Sequence, residues 1–306
     1  MANSSGLNRT GILSRVTVAA ITAALVGTTT AAVAADAPQE RTASAAVQQP
    51  SGNASAFAAD TASDAQVNAL YGVDSRGDMY GYAPNGRGGL DARLYTGYGW
   101  GSAKFITQVD RDHDGSADGI WDVTAGRLSY MEYGGDPVTV GSGWSIYNQV
   151  LSAGQLGGAT ADDLLARDSY GVLWLYLGYG NGKVTTRYRV GGGWNAYTQI
   201  AGKGDLSGDG KDDIVARDSY GVLWLYKGTG NYKAPFATRT RIGGGWNTYN
   251  TLVSTGDIDL DGITDLVARD KVGALWLYKG TANGTTPFKP RVQIGSSGWN
   301  TYRIMF

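Results

Sequence analysis

The feature that most constrains the fold of this chain is an internal repeat. A Gly-Trp phrase, "GSGWSIYNQV" in its first clear copy, recurs with its tryptophan at Trp144, Trp194, Trp246 and Trp299, which lie 50, 52 and 53 residues apart. A fainter copy surrounds Trp100. Each unit continues in the same order, with an acidic loop, a "DLLARD"-like segment, a "GVLWLY"-like segment and an arginine-containing segment. Repetition at such a period indicates an architecture of stacked supersecondary units.

The "GVLWLY" segment indicates which architecture this is. Val222, Trp224 and Tyr226 alternate with Leu223 and Leu225, so a strand here is apolar on both faces. A sheet that is covered on both sides is typical of the four-stranded blades of a propeller. A two-sheet sandwich also buries apolar faces, but it would not explain the repeat. The chain is therefore predicted to be an all-β protein, a β-propeller.

The two ends of the repeated region complement each other. Copies of the "LWLY" position occur five times, at Met79, Leu128, Trp174, Trp224 and Trp276. The first copy lacks a tryptophan segment before it, and the last eight residues, "WNTYRIMF", are a tryptophan segment with nothing after it. We therefore predict about five four-stranded blades, with the C-terminal strand joining the N-terminal blade. Closing the ring in this way removes exposed sheet edges; a split, open blade is the alternative.

The N-terminal residues predict export. Arg9 and Arg15 precede an apolar segment at 16–34, which ends in an Ala-x-Ala cleavage pattern. We therefore predict a signal peptide at 1–34, in preference to a membrane anchor, and no membrane span after its cleavage. Residues 35–63 are rich in Ala, Ser, Gln and Pro and are predicted to be a disordered linker. The propeller is then predicted at 64–306, and the mature protein is predicted to be secreted and extracellular.

Composition excludes several classes of function. The chain has 26 Lys+Arg against 27 Asp+Glu, a balance that argues against nucleic acid as the main partner because phosphate binding needs a basic stripe. It has no cysteine and a single histidine, His113, so disulfides, thiol chemistry and zinc or acid–base chemistry at histidine are disfavoured. Since no nucleophile–base arrangement is visible either, we predict that the protein is not an enzyme.

Three units carry acidic loops with the spacing of a cation site. Acidic or hydroxyl residues occupy positions 1, 3, 5 and 9, and glycine occupies position 6. They are Asp110, Asp112, Asp114 and Asp118; Asp205, Ser207, Asp209 and Asp213; Asp257, Asp259, Asp261 and Asp265. Glycine supplies the sharp turn, and an all-oxygen ligand set selects calcium over transition metals. Three copies at the same point of a repeat favour about three structural Ca²⁺ sites over solvated acidic turns.

Unit three departs from this pattern. Its loop has Gln155, Gly157 and Ala159 at the first three positions and keeps only Asp163. We predict that this loop binds no calcium. The corresponding stretch of the first unit, 60–68, is too degraded for a prediction.

The tandem "D-x-D-x-D-G-x-x-D" loops followed by "GxLWLY" strands resemble the FG-GAP/VCBS repeats of integrin-α-like propellers, in a secreted, lectin-like bacterial form. The resemblance covers roughly residues 66–306. It implies that calcium lies between the first two strands of a blade and stiffens it. Two features depart from the family: five units are fewer than the usual seven, and unit three has lost its ligands.

Function is predicted from the polar and aromatic residues that recur beside each strand. Sugars need aromatic faces for their C–H surfaces and planar or charged groups for their hydroxyls. The candidate ligand residues are Arg167, Asp168 and Tyr170; Arg217, Asp218 and Tyr220; Arg269 and Asp270. We therefore predict a glycan or other cell-surface ligand. The tyrosines stand in turns and are expected to be exposed, whereas Trp174, Trp224 and Trp276 are expected in the inter-blade core. Salt bridges at the blade edge are the structural alternative for the Arg-Asp pairs.

A second hypothesis is a protein-binding adaptor, or a targeting subunit of a larger secreted assembly. Its binding surface would be non-repeated, and the divergent first two units, 70–140, are where it is expected.

Overall fold

The structure, a computed structural model, describes residues 65–306. The predicted signal peptide at 1–34 and linker at 35–63 lie outside the described residues. Between 65 and 306 the chain forms five antiparallel four-stranded sheets, and the prediction of an all-β propeller with five blades is confirmed. No helix in this part of the chain is long and apolar enough to cross a membrane.

Each blade uses four strands that follow one another in the sheet. The strands are β1 (Leu70–Asp74), β2 (Met79–Tyr82), β3 (Leu94–Gly97), β4 (Ala103–Val109), β5 (Gly119–Thr124), β6 (Arg127–Glu132), β7 (Val138–Ser142), β8 (Tyr147–Gly154), β9 (Asp163–Asp168), β10 (Leu173–Tyr176), β11 (Tyr188–Gly191), β12 (Tyr197–Ala201), β13 (Ile214–Asp218), β14 (Leu223–Tyr226), β15 (Thr240–Gly243), β16 (Tyr249–Val253), β17 (Leu266–Asp270), β18 (Leu275–Tyr278), β19 (Val292–Gly295) and β20 (Tyr302–Met305). Blade 1 has the order β20-β1-β2-β3, and blades 2 to 5 are β4–β7, β8–β11, β12–β15 and β16–β19.

The ring closes where the two ends of the described chain meet. Strand β20 pairs antiparallel with β1, with Gly72 opposite Met305. Tyr71 and Phe306 extend the pairing, each donating its backbone N–H to the carbonyl oxygen of the other, at 2.8 and 3.1 Å. A Cβ on Gly72 would lie 2.6 Å from the ring of Tyr302, so this position accepts only glycine. The predicted closure by the C-terminal strand is confirmed.

Each repeated tryptophan lies on a short 3-10 turn that enters the first strand of a blade. The turns are Trp100–Ser102, Trp144–Ile146, Trp194–Ala196, Trp246–Thr248 and Trp299–Thr301. The residue before each tryptophan is a glycine with positive φ, for example 87° at Gly193, a conformation that residues with a Cβ disfavour. This requirement explains why the repeat is Gly-Trp.

The hydrophobic core is divided into five clusters, one at each contact between neighbouring blades. Between blades 3 and 4, Leu173 and Leu175 of one blade pack with Trp194, Tyr197 and the partly buried Trp224 of the next. The leucines are fully buried, whereas Trp224 is half-buried at the outer edge of the cluster. The expectation that the "LWLY" tryptophans lie between blades is therefore confirmed, although their rings are not fully enclosed.

The first strands of the blades surround a central cavity of ≈ 280 Å³. Towards the acidic loops, Lys203 occupies the axis and forms a buried ion pair with Asp162. Its ammonium also donates to the carbonyl oxygen of Gln108 at 3.1 Å, and Asp162 accepts the backbone N–H of Asp110 at 2.9 Å. These contacts tie three blades together at the axis.

Candidate functional site: acidic loops and inter-blade clefts

The acidic loops of blades 2, 4 and 5 bring carboxylates together. Each loop connects the first strand of its blade to the second. The converging residues are Asp110, Asp112 and Asp118; Asp205, Asp209 and Asp213; Asp257, Asp259 and Asp265. In each group the candidate ligand oxygens lie within 4.8 Å of one another. A single cation could therefore contact three carboxylates in each of three loops.

The first and last aspartates of a loop also fix its backbone. In blade 4, Asp205 accepts the backbone N–H of Gly208 at 2.7 Å and of Gly210 at 2.6 Å. Asp213 accepts the N–H of Leu206 at 3.1 Å and, from the segment after the third strand, that of Gly228 at 2.7 Å. The acidic pattern thus shapes the loop as well as presenting oxygens to an ion.

Burial makes these carboxylates hard to ionise without a cation. Burial raises the pKa of Asp213 and of Asp265 to about 7, and that of Asp257 to about 6, despite the backbone N–H groups that oppose the shift. Two lysines partly offset the negative charge of these loops. Lys227 lies 3.2 Å from Asp209, and Lys279 lies 2.6 Å from Asp259. An all-oxygen set of partly buried carboxylates fits a hard divalent cation.

The remaining predicted ligands lie at the edges of these groups. Asp114 is exposed and accepts the N–H of Ser116 at 2.9 Å. Asp261 is exposed and pairs with Lys289 at 3.3 Å. Ser207 is buried against Asp205, with its hydroxyl 3.4 Å from the carboxylate.

The loop of blade 3 keeps the shape without the acids. Asp163 accepts the N–H of Leu156 at 2.9 Å and of Gly178 at 2.9 Å, as Asp213 does in blade 4. The amide of Gln155 donates to the carbonyl oxygen of Ala159 and closes the loop. No group of three potential metal-ligating acids forms in this loop among the residues that the structure describes.

The predicted ligand arginines connect neighbouring blades. Arg217 donates through Nη1 to the carbonyl oxygens of Trp246 and Tyr249 in the next blade, at 3.1 and 2.5 Å. Arg167 and Arg269 make the corresponding pairs of contacts. Burial lowers the pKa of all three arginines. Between residues 65 and 306, none of them forms an ion pair with the aspartate that follows it.

The predicted ligand aspartates contact a turn and an indole of their own blade instead of the next blade. Asp168 accepts the N–H groups of Tyr170 and Val172 through Oδ1, each at 3.0 Å, and the indole N–H of Trp174 through Oδ2 at 2.9 Å. Asp218 and Asp270 repeat this arrangement. Burial opposes ionisation, but the indole and backbone donors outweigh it, so the pKa of Asp168 falls below its usual range.

The turns that these aspartates hold present large side chains to solvent. Tyr170 and Tyr220 are each 88% exposed, as expected, and Val272 occupies the same position in blade 5 at 81%. The aspartate thus anchors an exposed turn and a half-buried indole on one carboxylate.

Each of these tryptophans is covered by an arginine that was not among the predicted site residues. Arg187 lies over Trp174, Arg239 over Trp224 and Arg291 over Trp276, with the guanidinium carbon 4.1, 4.0 and 4.0 Å from the ring centroid. All three arginines are exposed. We use the name inter-blade cleft for each such pair with its aspartate and exposed turn; these residues belong to one blade, and the tryptophan also packs against the preceding blade. The recurrent arginine near the end of each unit was the sequence signal for it.

Tyrosine hydroxyls complete the floor of a cleft. Arg187 donates through Nη1 to the hydroxyl of Tyr147 at 3.1 Å, and that hydroxyl lies 2.5 Å from the hydroxyl of Tyr176. Blades 4 and 5 have the same arrangement. Blade 1 has a variant in which Arg93 lies 4.9 Å from the centroid of Tyr80, whereas blade 2 has Ser129 in place of the tryptophan.

Comparisons with known proteins support the fold. Residues 205–268, from the acidic loop of blade 4 to the second strand of blade 5, match the FG-GAP-like repeat family, so the predicted resemblance is confirmed for this region. No curated protein matches the chain.

Several solved structures are similar in shape. One is a symmetrical protein studied for its de novo evolutionary emergence, which is 12% identical over 78% of this chain and 97% of its own, with a TM-score of 0.55. The BP39L lectin of Burkholderia pseudomallei is 12% identical, with coverages of 74% and 69% and a TM-score of 0.48. An Agrocybe aegerita lectin specific for non-reducing terminal N-acetylglucosamine is 15% identical, with coverages of 78% and 67% and a TM-score of 0.42. The first of these likenesses supports the shared propeller fold.

Proposed function

We propose that the protein is a secreted, calcium-stabilised binding module that recognises carbohydrate through its inter-blade clefts, without catalysis. The observation that carries the proposal is the threefold repetition of a half-buried indole, an exposed arginine and an anchoring aspartate in blades 3, 4 and 5. A polysaccharide is itself a repeated ligand, so several weak clefts on one ring gain avidity when they bind one polymer.

The chemistry of a cleft suits a sugar. The faces of aromatic rings pack against the C–H surface of a pyranose, and planar guanidinium groups donate hydrogen bonds to its hydroxyl oxygens. Tyr170 and Tyr220 add exposed phenols on the turns that Asp168 and Asp218 anchor, and both remain proposed ligand residues together with these aspartates. For Arg167, Arg217, Arg269 and Asp270, which were also predicted as ligand residues, we propose support of the cleft through the contacts described above.

Calcium and secretion belong to the same proposal. The aspartates of blades 2, 4 and 5 would hold Ca²⁺, which supplies positive charge where three carboxylates meet. The three compact, all-oxygen groups support this identity of the ion. Extracellular location rests on the N-terminal signal pattern at 1–34, and it would give the loops access to abundant calcium.

Affinity electrophoresis in gels that contain different polysaccharides tests carbohydrate recognition. We expect retardation by at least one glycan and weaker retardation of the double variant Tyr170→Ala/Tyr220→Ala. The matched control is Val272→Ala, which shortens an exposed side chain at the same turn of blade 5 and should change retardation little. The proposal would be overturned if no glycan in a broad panel retarded the protein.

A protein partner is the second candidate. Large apolar side chains are exposed on the outer strand of blade 1, where Leu94 is 50% and Tyr95 45% exposed, and on blade 2, where Val138 is 57% exposed. These positions fall in the divergent units where a non-repeated interface was expected. Cross-linking in the native culture medium tests for such a partner. We expect a stable cross-linked product with another protein, and a monomer alone would contradict this second candidate function.

A further inference from the structure

We propose that the clefts recognise an anionic glycan, one that carries carboxylate groups, through the arginines at the outer edge of the ring. This inference rests on the proposed carbohydrate-binding function and names the class of ligand. It starts from arginines that are exposed and have no acidic partner.

The outer strands of four consecutive blades carry these arginines. Arg187 and Arg189 belong to blade 3, Arg239 and Arg241 to blade 4, Arg291 to blade 5 and Arg93 to blade 1; all are exposed. Between residues 65 and 306, none of the six forms an ion pair with a carboxylate. Other arginines do so: Arg76 pairs with Asp74 at 3.0 Å and Arg111 with Glu132 at 2.9 Å. No carboxylate therefore takes up the N–H donors of these arginines, although Asp168 and Asp218 act electrostatically on Arg187 and Arg239.

Part of the exposed negative charge lies in the acidic loops. The exposed Asp112, Asp114, Asp209 and Asp261 lie in the loops between first and second strands. Because neighbouring strands are antiparallel, those loops lie at the opposite end of the ring from the turns that carry Tyr170 and Tyr220. The aspartate inside each cleft is occupied by the indole and the turn. A net charge of -1 therefore coexists with six exposed arginines that form no ion pair.

The geometry of the stacked arginine suits a carboxylate. The guanidinium carbon of Arg187 lies 4.1 Å from the indole centroid of Trp174, and one of its donors is used by a tyrosine hydroxyl. Guanidinium has five N–H donors in a rigid fork that matches a carboxylate in a bidentate way. A ligand carboxylate would pair with the remaining donors. A neutral sugar cannot form this charged pair.

The distribution of clefts also fits a polymer. Blades 3, 4, 5 and 1 follow one another around the closed ring, and only blade 2 lacks an outer-strand arginine stacked on a ring at the "LWLY" position. An extended polyanion could therefore contact neighbouring clefts in succession. Removing one cleft should then weaken binding without abolishing it.

Hyaluronan and its fully methyl-esterified form are the matched probes, since they differ only at the carboxyl group, which the ester caps with a methyl group and leaves uncharged. We expect the protein to bind hyaluronan at least tenfold more tightly than the ester, about the factor of a charge-assisted hydrogen bond, with affinity falling as salt increases. The variant Arg239→Gln/Arg291→Gln should lose about tenfold for each arginine on hyaluronan. It should keep the weaker affinity for the ester.

The matched control is Arg87→Gln/Arg127→Gln, which removes the same charge from two exposed arginines that lie over no aromatic ring. It should bind hyaluronan almost as the unmodified protein does. Arg239→Lys/Arg291→Lys retains the charge and should bind with intermediate affinity, which separates ligand recognition from any loss of packing.

Three results overturn the inference. Equal affinity for hyaluronan and its ester would do so while leaving the proposed function intact. An equal loss in the control and cleft variants would show general charge attraction instead of recognition in the clefts. Binding of other, neutral glycans but of neither probe would also overturn the anionic ligand class, whereas failure to bind any glycan would overturn the proposed function itself.

Discussion

Arginine has two opposite roles in this molecule, although the residues look alike in the sequence. Arg217 is buried at the end of a second strand and satisfies two carbonyl oxygens of the next blade. Arg239 is exposed near the outer strand and lies over an indole. The first holds two blades together, and the second presents donors at the surface. The difference arises from the position of each strand in the blade.

Replacing the buried arginine should therefore cost stability. Arg217→Ala leaves the carbonyl oxygens of Trp246 and Tyr249 without their donor in a buried site, and we expect a loss of about 2–4 kcal/mol in the free energy of unfolding. Urea denaturation followed by tryptophan fluorescence measures it. Arg241→Ala, at an exposed site, is the control and should change stability by less than about 0.5 kcal/mol. Equal effects of the two substitutions would contradict the structural role.

At the scale of elements, the acidic loop combines a backbone scaffold with carboxylates that could hold a cation. The loop of blade 3 has the same backbone shape without the other acids, because hydrogen bonds of Asp163 and Gln155 maintain that shape. In blades 4 and 5 the additional carboxylates repel one another unless an ion or a lysine neutralises them. A variant can separate the two roles if it removes a carboxylate that holds no backbone N–H.

Asp209 is such a residue: within the described chain its carboxylate contacts the ammonium of Lys227. We expect Asp209→Asn to reduce the number of bound Ca²⁺ from three to two in titration calorimetry and to leave the melting temperature in chelator unchanged. Calcium at a hundred times its Kd should stabilise the unmodified protein by about 2.7 kcal/mol for each site. Asp136→Asn, an exposed acid outside the loops, should leave the stoichiometry at three. A melting temperature that chelator does not lower would contradict the calcium assignment.

At the scale of the whole molecule, stability depends on the ring being closed. Each blade buries its two faces against different neighbours, so no blade can complete its core alone. The C-terminal residues belong to two inter-blade clusters at once: Tyr302 and Met305 pack towards blade 5, and Phe306 packs towards blade 2. Losing them would open the ring on both sides of blade 1.

Deleting residues 302–306 should therefore be severely destabilising. Each large buried side chain contributes about 1.5–3 kcal/mol, so we expect the melting temperature to fall by at least ~10 °C. Limited proteolysis should then cleave blade 1 before the other blades. Thr301→Ala, an exposed substitution just before the deleted strand, is the control and should unfold like the unmodified protein. A truncated chain that kept its melting temperature would contradict the importance of closure.

Much of the fold could be predicted because it depends on local patterns. The repeat period determines the number of blades, the alternation in "GVLWLY" determines a doubly covered strand, and the spacing of Asp257, Asp259 and Asp265 determines a convergent loop. The unmatched ends at Leu70 and Phe306 were sufficient to predict closure. All of these depend on spacing along the chain, which the backbone geometry of strands and turns converts directly into position.

The candidate site was only partly predictable because it is assembled across strands. The sequence by itself determined the five-bladed ring, the three acidic loops and the exposed tyrosines of the turns. Only the tertiary structure decided that Arg167, Arg217 and Arg269 are buried ties, and that Arg187, Arg239 and Arg291 cover the tryptophans. The reason is physical. Which side chains meet depends on how the third and fourth strands pair and on which face of the blade is turned towards its neighbour. Neither of these is encoded in residue spacing alone.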